Sequence, residues 1–193
     1  MVPTPARRGI IEASTAHRCL DAAVEVTRRL HITQGPPAMT ALSKEDLREY
    51  LIGAWTLESY ESSDVDGSNV RYPLGSDARG IIMYTADGYM SAQIMRAGRA
   101  SFASGDLQVA DNDELAAAAR GYMAYTGPYS VHDNGTIAHH VDVSLLPNWI
   151  GGTQYRAAQV GDDRLQLGPV EPVLIKGKLR RGRLTWQRVT PAK

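Results

Sequence analysis

The strongest constraint on this chain is a rhythm of short strand-like runs. From Gly53 onward they recur with turn signals between them: Gly53 to Tyr60, Gly80 to Thr85, Tyr89 to Met95, Tyr129 to Asp133, Gly135 to Leu145, Thr153 to Val160, Arg164 to Leu167, Val173 to Lys178 and Arg183 to Val189. Ala86-Asp87-Gly88 reads as a tight turn, because Gly supplies a positive φ after Asp. One helix interrupts the series. Its expected span is Asn112 to Tyr125, with Asp111 or Asn112 as cap, Asp113 and Glu114 in the first turn, and Gly127-Pro128 as the stop. Many short strands around one helix predict a mainly β, antiparallel barrel or sandwich.

Residues 1–42 stand apart from the barrel domain expected over 43–190. Residues 10–30 suit a helix with Cys19, Leu20, Ala23, Val24 and Leu30 roughly on one face, and Gly35-Pro36-Pro37 cannot continue it. Two readings stay open. Met39 is the true start, or the helix is genuine and docks on the barrel or pairs two copies into a homodimer. Ser43 and Asp46 have N-cap spacing for a short helix with Leu47, Tyr50 and Leu51 on one face.

Composition removes several function classes. The 193 residues carry 21 basic and 21 acidic side chains, which argues against a dedicated nucleic-acid or anionic-membrane partner. No apolar run has the length of a membrane span. One cysteine excludes an intrachain disulfide. The aromatic set is skewed: nine Tyr and three Trp stand beside a single Phe. That pattern points to half-polar, half-buried surfaces, since each Tyr brings a hydroxyl that wants a partner.

Catalytic signatures are sparse. There is no Gly-x-Ser-x-Gly elbow, and Gly75 to Gly80 lacks the Lys-Ser/Thr of a phosphate loop. His139-His140 tempts a metal reading. Neighbours on a strand point to opposite faces, however, so no metal is expected, and with no Gly-x-Gly-x-x-Gly or phosphate loop no cofactor is expected either. His139 shares a face with Ile137, Val141, Val143 and Leu145 and is expected inside; His140, Asp142 and Ser144 are expected in solvent. An inward imidazole is a candidate acid, base or donor, or a satisfied core histidine.

In the 80–95 hairpin, a four-residue turn pairs Met83 with Met90 and Ile81 with Ala92. Ile81, Met83, Met90, Ala92 and Ile94 then face inward. A slip of one residue would bring in Tyr84, Ser91 and Gln93 instead. Met83, Met90 and Tyr84 are therefore candidate wall residues. Gln154 and Arg156 share a strand face, and an inward Arg needs a carboxylate or a ligand oxygen. Tyr122 and Tyr125 on the expected helix, with Tyr129 after it, form a candidate lid. Trp149 is a candidate for the pocket mouth and Trp186 for its lining.

The matching stretches run the length of the domain. They are Leu51-x-Gly53-x-Trp55, Met83 to Gln93, Phe102-Ala-Ser-Gly-Asp106, Gly121-Tyr122, His139 to Ser144, Pro147-Asn-Trp-Ile-Gly151, Gln154-x-Arg156, Asp163-Arg-Leu165 and Trp186-x-Arg188. With these the chain resembles the lipocalin-like domain family of bacterial and fungal proteins. The resemblance implies an antiparallel lipocalin-like barrel in which Trp55 closes one end beneath Arg188. It also implies an intracellular, cytoplasmic protein enclosing a small, largely apolar metabolite. The expected function is a cofactor-independent cyclase, isomerase or accessory enzyme of specialised, polyketide-like metabolism, with His139 and Arg156 as its acid–base and polarising groups. The alternative is a carrier that binds without turnover.

Overall fold

The computed structural model describes residues 42–190 other than Leu107. The expected extension, with its helix over 10–30 and Cys19, lies outside these residues apart from Leu42. No helix among the described residues is long and apolar enough to cross a membrane.

Helix α1 (Lys44–Leu51) begins where Ser43 accepts the amide of Asp46, satisfying one of the donors left open at a helix start. Strands follow as β1 (Gly53–Asp64), β2 (Arg79–Tyr84) and β3 (Tyr89–Met95), then helix α2 (Asn112–Arg120). After it come β4 (Tyr122–Val131), β5 (Thr136–His140), the two-residue β6 (Val143–Ser144) and a 3-10 turn over Pro147–Trp149. The chain ends in β7 (Thr153–Gly161), β8 (Arg164–Pro169), β9 (Val173–Ile175) and β10 (Lys178–Arg188). Strands β1, β2, β3, β4, β5, β7, β8 and β10 pair antiparallel in that order, and β10 returns to β1. The sheet is thus a closed antiparallel barrel of eight strands. β6 and β9 are short additions to β4 and β10.

Alternation along these strands sends Trp55, Ile82, Tyr84, Met90, Ala92, Ile94, Tyr125, Ile137, His139, Leu165 and Trp186 into the core. The two barrel ends differ. At one end lie the three short turns β2–β3, β4–β5 and β7–β8, and α1 is pinned to each. Arg48 donates to the Ala86 carbonyl, Lys44 pairs with Asp133, and the Tyr50 hydroxyl reaches the carbonyls of Asp162 and Arg164. Trp55 lies beneath this plug. The Arg188 guanidinium sits 4.0 Å from the Trp55 ring centroid and 4.8 Å from that of Tyr50, and donates to the carbonyls of Tyr50 and Ile52. At the other end are the long connections. The first of them is held by Arg180, buried against Ser62, Asp64 and Asn69.

Three expectations need correction. The helix stops at Arg120, because Gly121 caps it and the next residues take up alternation; Tyr122 and Tyr125 therefore lie on β4 and not on a helix lid. Gly127-Pro128 is mid-strand. In the β2–β3 hairpin Tyr84 pairs with Met90 and Ile82 with Ala92. The loop has three residues, Ala86-Asp87-Gly88, closed by Thr85 and Tyr89, with Gly88 at φ 94°. Ile81 and Met83 consequently face outward, as do Ser91 and Gln93. Finally, the strand expected over Gly135 to Leu145 breaks after His140. Val141 is buried, but Val143 and Leu145 are exposed.

Candidate functional site

The site is built around His139. Strand parity turns it inward from β5, opposite Gln154 of β7. Two tyrosines from other strands bracket its ring. The Tyr84 hydroxyl lies 2.9 Å from Nε2 and the Tyr125 hydroxyl 3.0 Å from Nδ1. Burial, then the positive charges of Arg156 and His140, lower the His139 pKa to about 3. The imidazole is therefore neutral near pH 7, with one ring nitrogen donating and the other accepting. One tyrosine gives its proton to the ring. The other accepts from the ring, and its own proton remains free for a third group.

Aromatic neighbours fix this trio. Tyr129 packs edge-on against Tyr84, with ring centroids 5.0 Å apart, and donates to the Thr85 carbonyl. Trp149, carried by the long connection after β5, packs edge-on against Tyr125 at 5.3 Å. Burial raises the pKa of Tyr84 well above the ordinary phenol value and also raises that of Tyr60, while Arg156 pulls both back down. These hydroxyls stay protonated near neutral pH.

Arg156 shares the inner face, since it pairs with Ile137 two residues along from the His139–Gln154 pair. Its polar contact is with Gln154 Oε1, at 3.4 Å from Nη2. On the same strand Gln154, Arg156, Ala158 and Val160 are half-buried, unlike the sealed residues of β2 and β3. Solvent therefore reaches the interior along β7. The Trp186 indole nitrogen is buried with no hydrogen-bond partner among the described residues. An unmet donor of this kind costs on the order of 1–3 kcal/mol.

Of the residues singled out from sequence, the structure gathers His139, Tyr84, Tyr125, Trp149, Gln154 and Arg156, with Met90 and Trp186 in the same core. It does not bring in Met83 or Tyr122. Those two border an outer groove of about 530 Å³ with Ile81, Gln93 and Met95. The Tyr122 hydroxyl donates there to Gln93. Tyr60 was not singled out. A β-bulge between Leu57 and Ser59 shifts the parity of β1 and turns Tyr60 inward.

The neutral His139 makes stability depend on pH. The unfolded chain binds its proton near pH 6.5, whereas the folded chain holds it off until about pH 3. This contribution is complete above pH 6.5 and lost as the pH falls, at up to about 1.4 kcal/mol per pH unit. Between pH 7 and pH 5, urea unfolding is expected to show a loss about 2 kcal/mol larger in the wild type than in His139→Gln. Equal losses in the two proteins would refute this.

Comparison with known proteins agrees with the geometry. The family model described as a lipocalin-like domain matches residues 52–189. A protein of Aspergillus oryzae, described as a 4'-hydroxy-3'-methoxypropiophenone carrier protein, is 39% identical over 107 residues, covering 52% of this chain and 96% of the relative. No solved structure matches the chain.

Proposed function

The chain belongs to the lipocalin-like domain family, and from that premise we propose that it is a small-molecule carrier holding a compact, largely apolar metabolite inside its barrel. The observation that carries this reading is Arg156, an inward cation with no carboxylate within ion-pair distance among the described residues. Solvent reaches this half-buried charge, so a guest that covers it has to meet it, because a buried unpaired charge is costly. On the same strand face Ala158 and Val160 are apolar and incompletely buried, as are Leu57, Met123 and Leu184 elsewhere around the core. That mix of apolar surface and a few polar groups is what a ligand site requires. The described role of the fungal relative supports carriage, and the aryl ketone in its description supports a guest that is a compact, largely apolar body with a few oxygens.

A second reading has its own support. Tyr84, His139 and Tyr125 form a continuous hydrogen-bond chain through a neutral imidazole, and such a chain can pass a proton between two hydroxyls. A cofactor-independent isomerase or cyclase would use it.

The test is equilibrium binding with product analysis. Full-length protein is titrated with 4'-hydroxy-3'-methoxypropiophenone, followed by tryptophan fluorescence, and the ligand is then recovered and analysed. Carriage predicts saturable binding with unchanged ligand. It also predicts at least about a tenfold loss of affinity in Ala158→Phe, which fills the interior beside β7. Conversion of the ligand, lost in His139→Gln with binding retained, would replace the carrier by the enzyme. Binding unaffected by Ala158→Phe would remove the interior as the site.

A further inference from the structure

We propose that the guest carries a single oxyanion on an apolar body, and that Arg156 is the residue that holds its charged oxygen. This rests on the ligand-binding reading above and adds the guest's charge to it.

Three arginines of the barrel are partly or wholly buried, and they are used differently. Arg180 spends its donors on Asp64, Ser62 and Asn69. Arg188 spends its donors on two backbone carbonyls, lies 3.7 Å from Asp163, and lays its plane over two rings. Both are structural. Arg156 has a long contact with Gln154 and no other hydrogen bond among the described residues. A guanidinium has five N–H donors, so most of these remain free. It also borders a recess of about 380 Å³ that opens on the outer surface, with Gln154, His132, the outward-facing Tyr155, Val170 and Glu171. The carboxylate of Glu171 makes no ion pair with it.

The groups that feel its charge are neutral. Tyr60 on β1 and Tyr84 on β2 keep their protons because they are buried, and His139 on β5 is an uncharged imidazole. The inner face of β7 thus carries a half-buried positive charge that solvent, and no carboxylate among the described residues, meets. A neutral guest would desolvate that charge without pairing it, which is unfavourable. An oxyanion would accept two parallel N–H bonds, the geometry for which a planar guanidinium is suited. The anion is a phenolate or a carboxylate; both present the same charged oxygen.

Two matched probe pairs test this on the full chain: 4-nitrophenol with 4-nitroanisole, and 4-nitrobenzoate with its methyl ester. Affinities come from tryptophan quenching, and the absorbance of nitrophenol reports its ionisation when bound. We expect at least one charged probe to bind about tenfold or more tightly than its uncharged partner. Bound nitrophenol, if it is the favoured probe, should ionise at a lower pH than free nitrophenol. Arg156→Gln should remove the preference, Arg156→Lys should keep part of it, and Glu171→Gln should leave it in place. Whichever pair shows the preference identifies the anion. Equal binding within both pairs by the wild type, or a preference that survives Arg156→Gln, overturns the assignment and leaves the carrier reading standing. Binding of none of the four probes overturns both. The wild-type comparison needs no variant, so a poorly folded Arg156→Gln does not shelter the proposal.

Discussion

Trp55→Ala is expected to lower stability by about 3–5 kcal/mol, measured by urea unfolding at pH 7. Trp55 is fully buried, and its ring does several jobs at once. It fills the end of the barrel beneath α1. It offers the face on which Arg188 rests, 4.0 Å away. It packs against Tyr50, with centroids 5.4 Å apart. Its indole nitrogen also donates to the Leu51 carbonyl at 2.9 Å, satisfying an acceptor that the end of α1 leaves open. Truncation removes all four and leaves a cavity at the end of the barrel. Trp55→Phe separates the contributions, because it keeps a ring under Arg188 but loses the bond to Leu51. It should fall between the wild type and the alanine variant. A cost below about 1 kcal/mol for Trp55→Ala would show that α1 and Arg188 close the barrel without it.

Gly127→Ala is expected to cost about 3 kcal/mol, although it adds a single methyl group. The chain crosses β4 closely where it leaves β5. Asp142 donates its amide to the Thr126 carbonyl, and a Cβ on Gly127 would collide with the carbonyl oxygen of His140. The obstructing atoms are backbone and cannot rotate away. Relief requires β4 to separate from the His140–Asp142 segment, which also carries the site histidine one residue upstream. Thermal melts should show the loss, and tyrosine and tryptophan near-UV dichroism should show the disturbed packing around Tyr125. The opposite-facing Thr126→Ala removes only a hydroxyl bond to Met90 and should cost about 1 kcal/mol. Comparable losses in the two variants would mean that the close crossing adds no penalty.

Local chemistry made part of this molecule readable in advance. The inward turn of His139 follows from a few alternating residues of one strand. The capping of α1 by Ser43 follows from spacing alone. The pairing of Trp55 with Arg188, by contrast, follows from the resemblance to the lipocalin-like family, which both short stretches carry, and not from local chemistry. The failures share a different cause. The 80–95 hairpin was misregistered by one residue on β2 because the loop length depends on Gly88 adopting a left-handed φ and on Thr85 closing against Tyr89. Composition allowed three or four residues there. The helix ends at Arg120 because Gly121 caps it, whereas in the sequence Gly127-Pro128 reads as the stronger stop. Tyr60 escaped notice because a single bulge reversed the parity of β1 beyond Leu57. Arg180 was invisible for a simpler reason: its partners lie more than a hundred residues away.

The unequal barrel ends bear on rates as well as on stability. With α1 pinned to three turns at one end, the proposed carrier would exchange its guest past the four long connections at the other. Trp149, edge-on against Tyr125, stands on one of these connections. On that reading, release would depend on these connections, Trp149's among them, and recognition would depend on Arg156 and the His139 trio. Loop substitutions could speed or slow release without altering what is recognised.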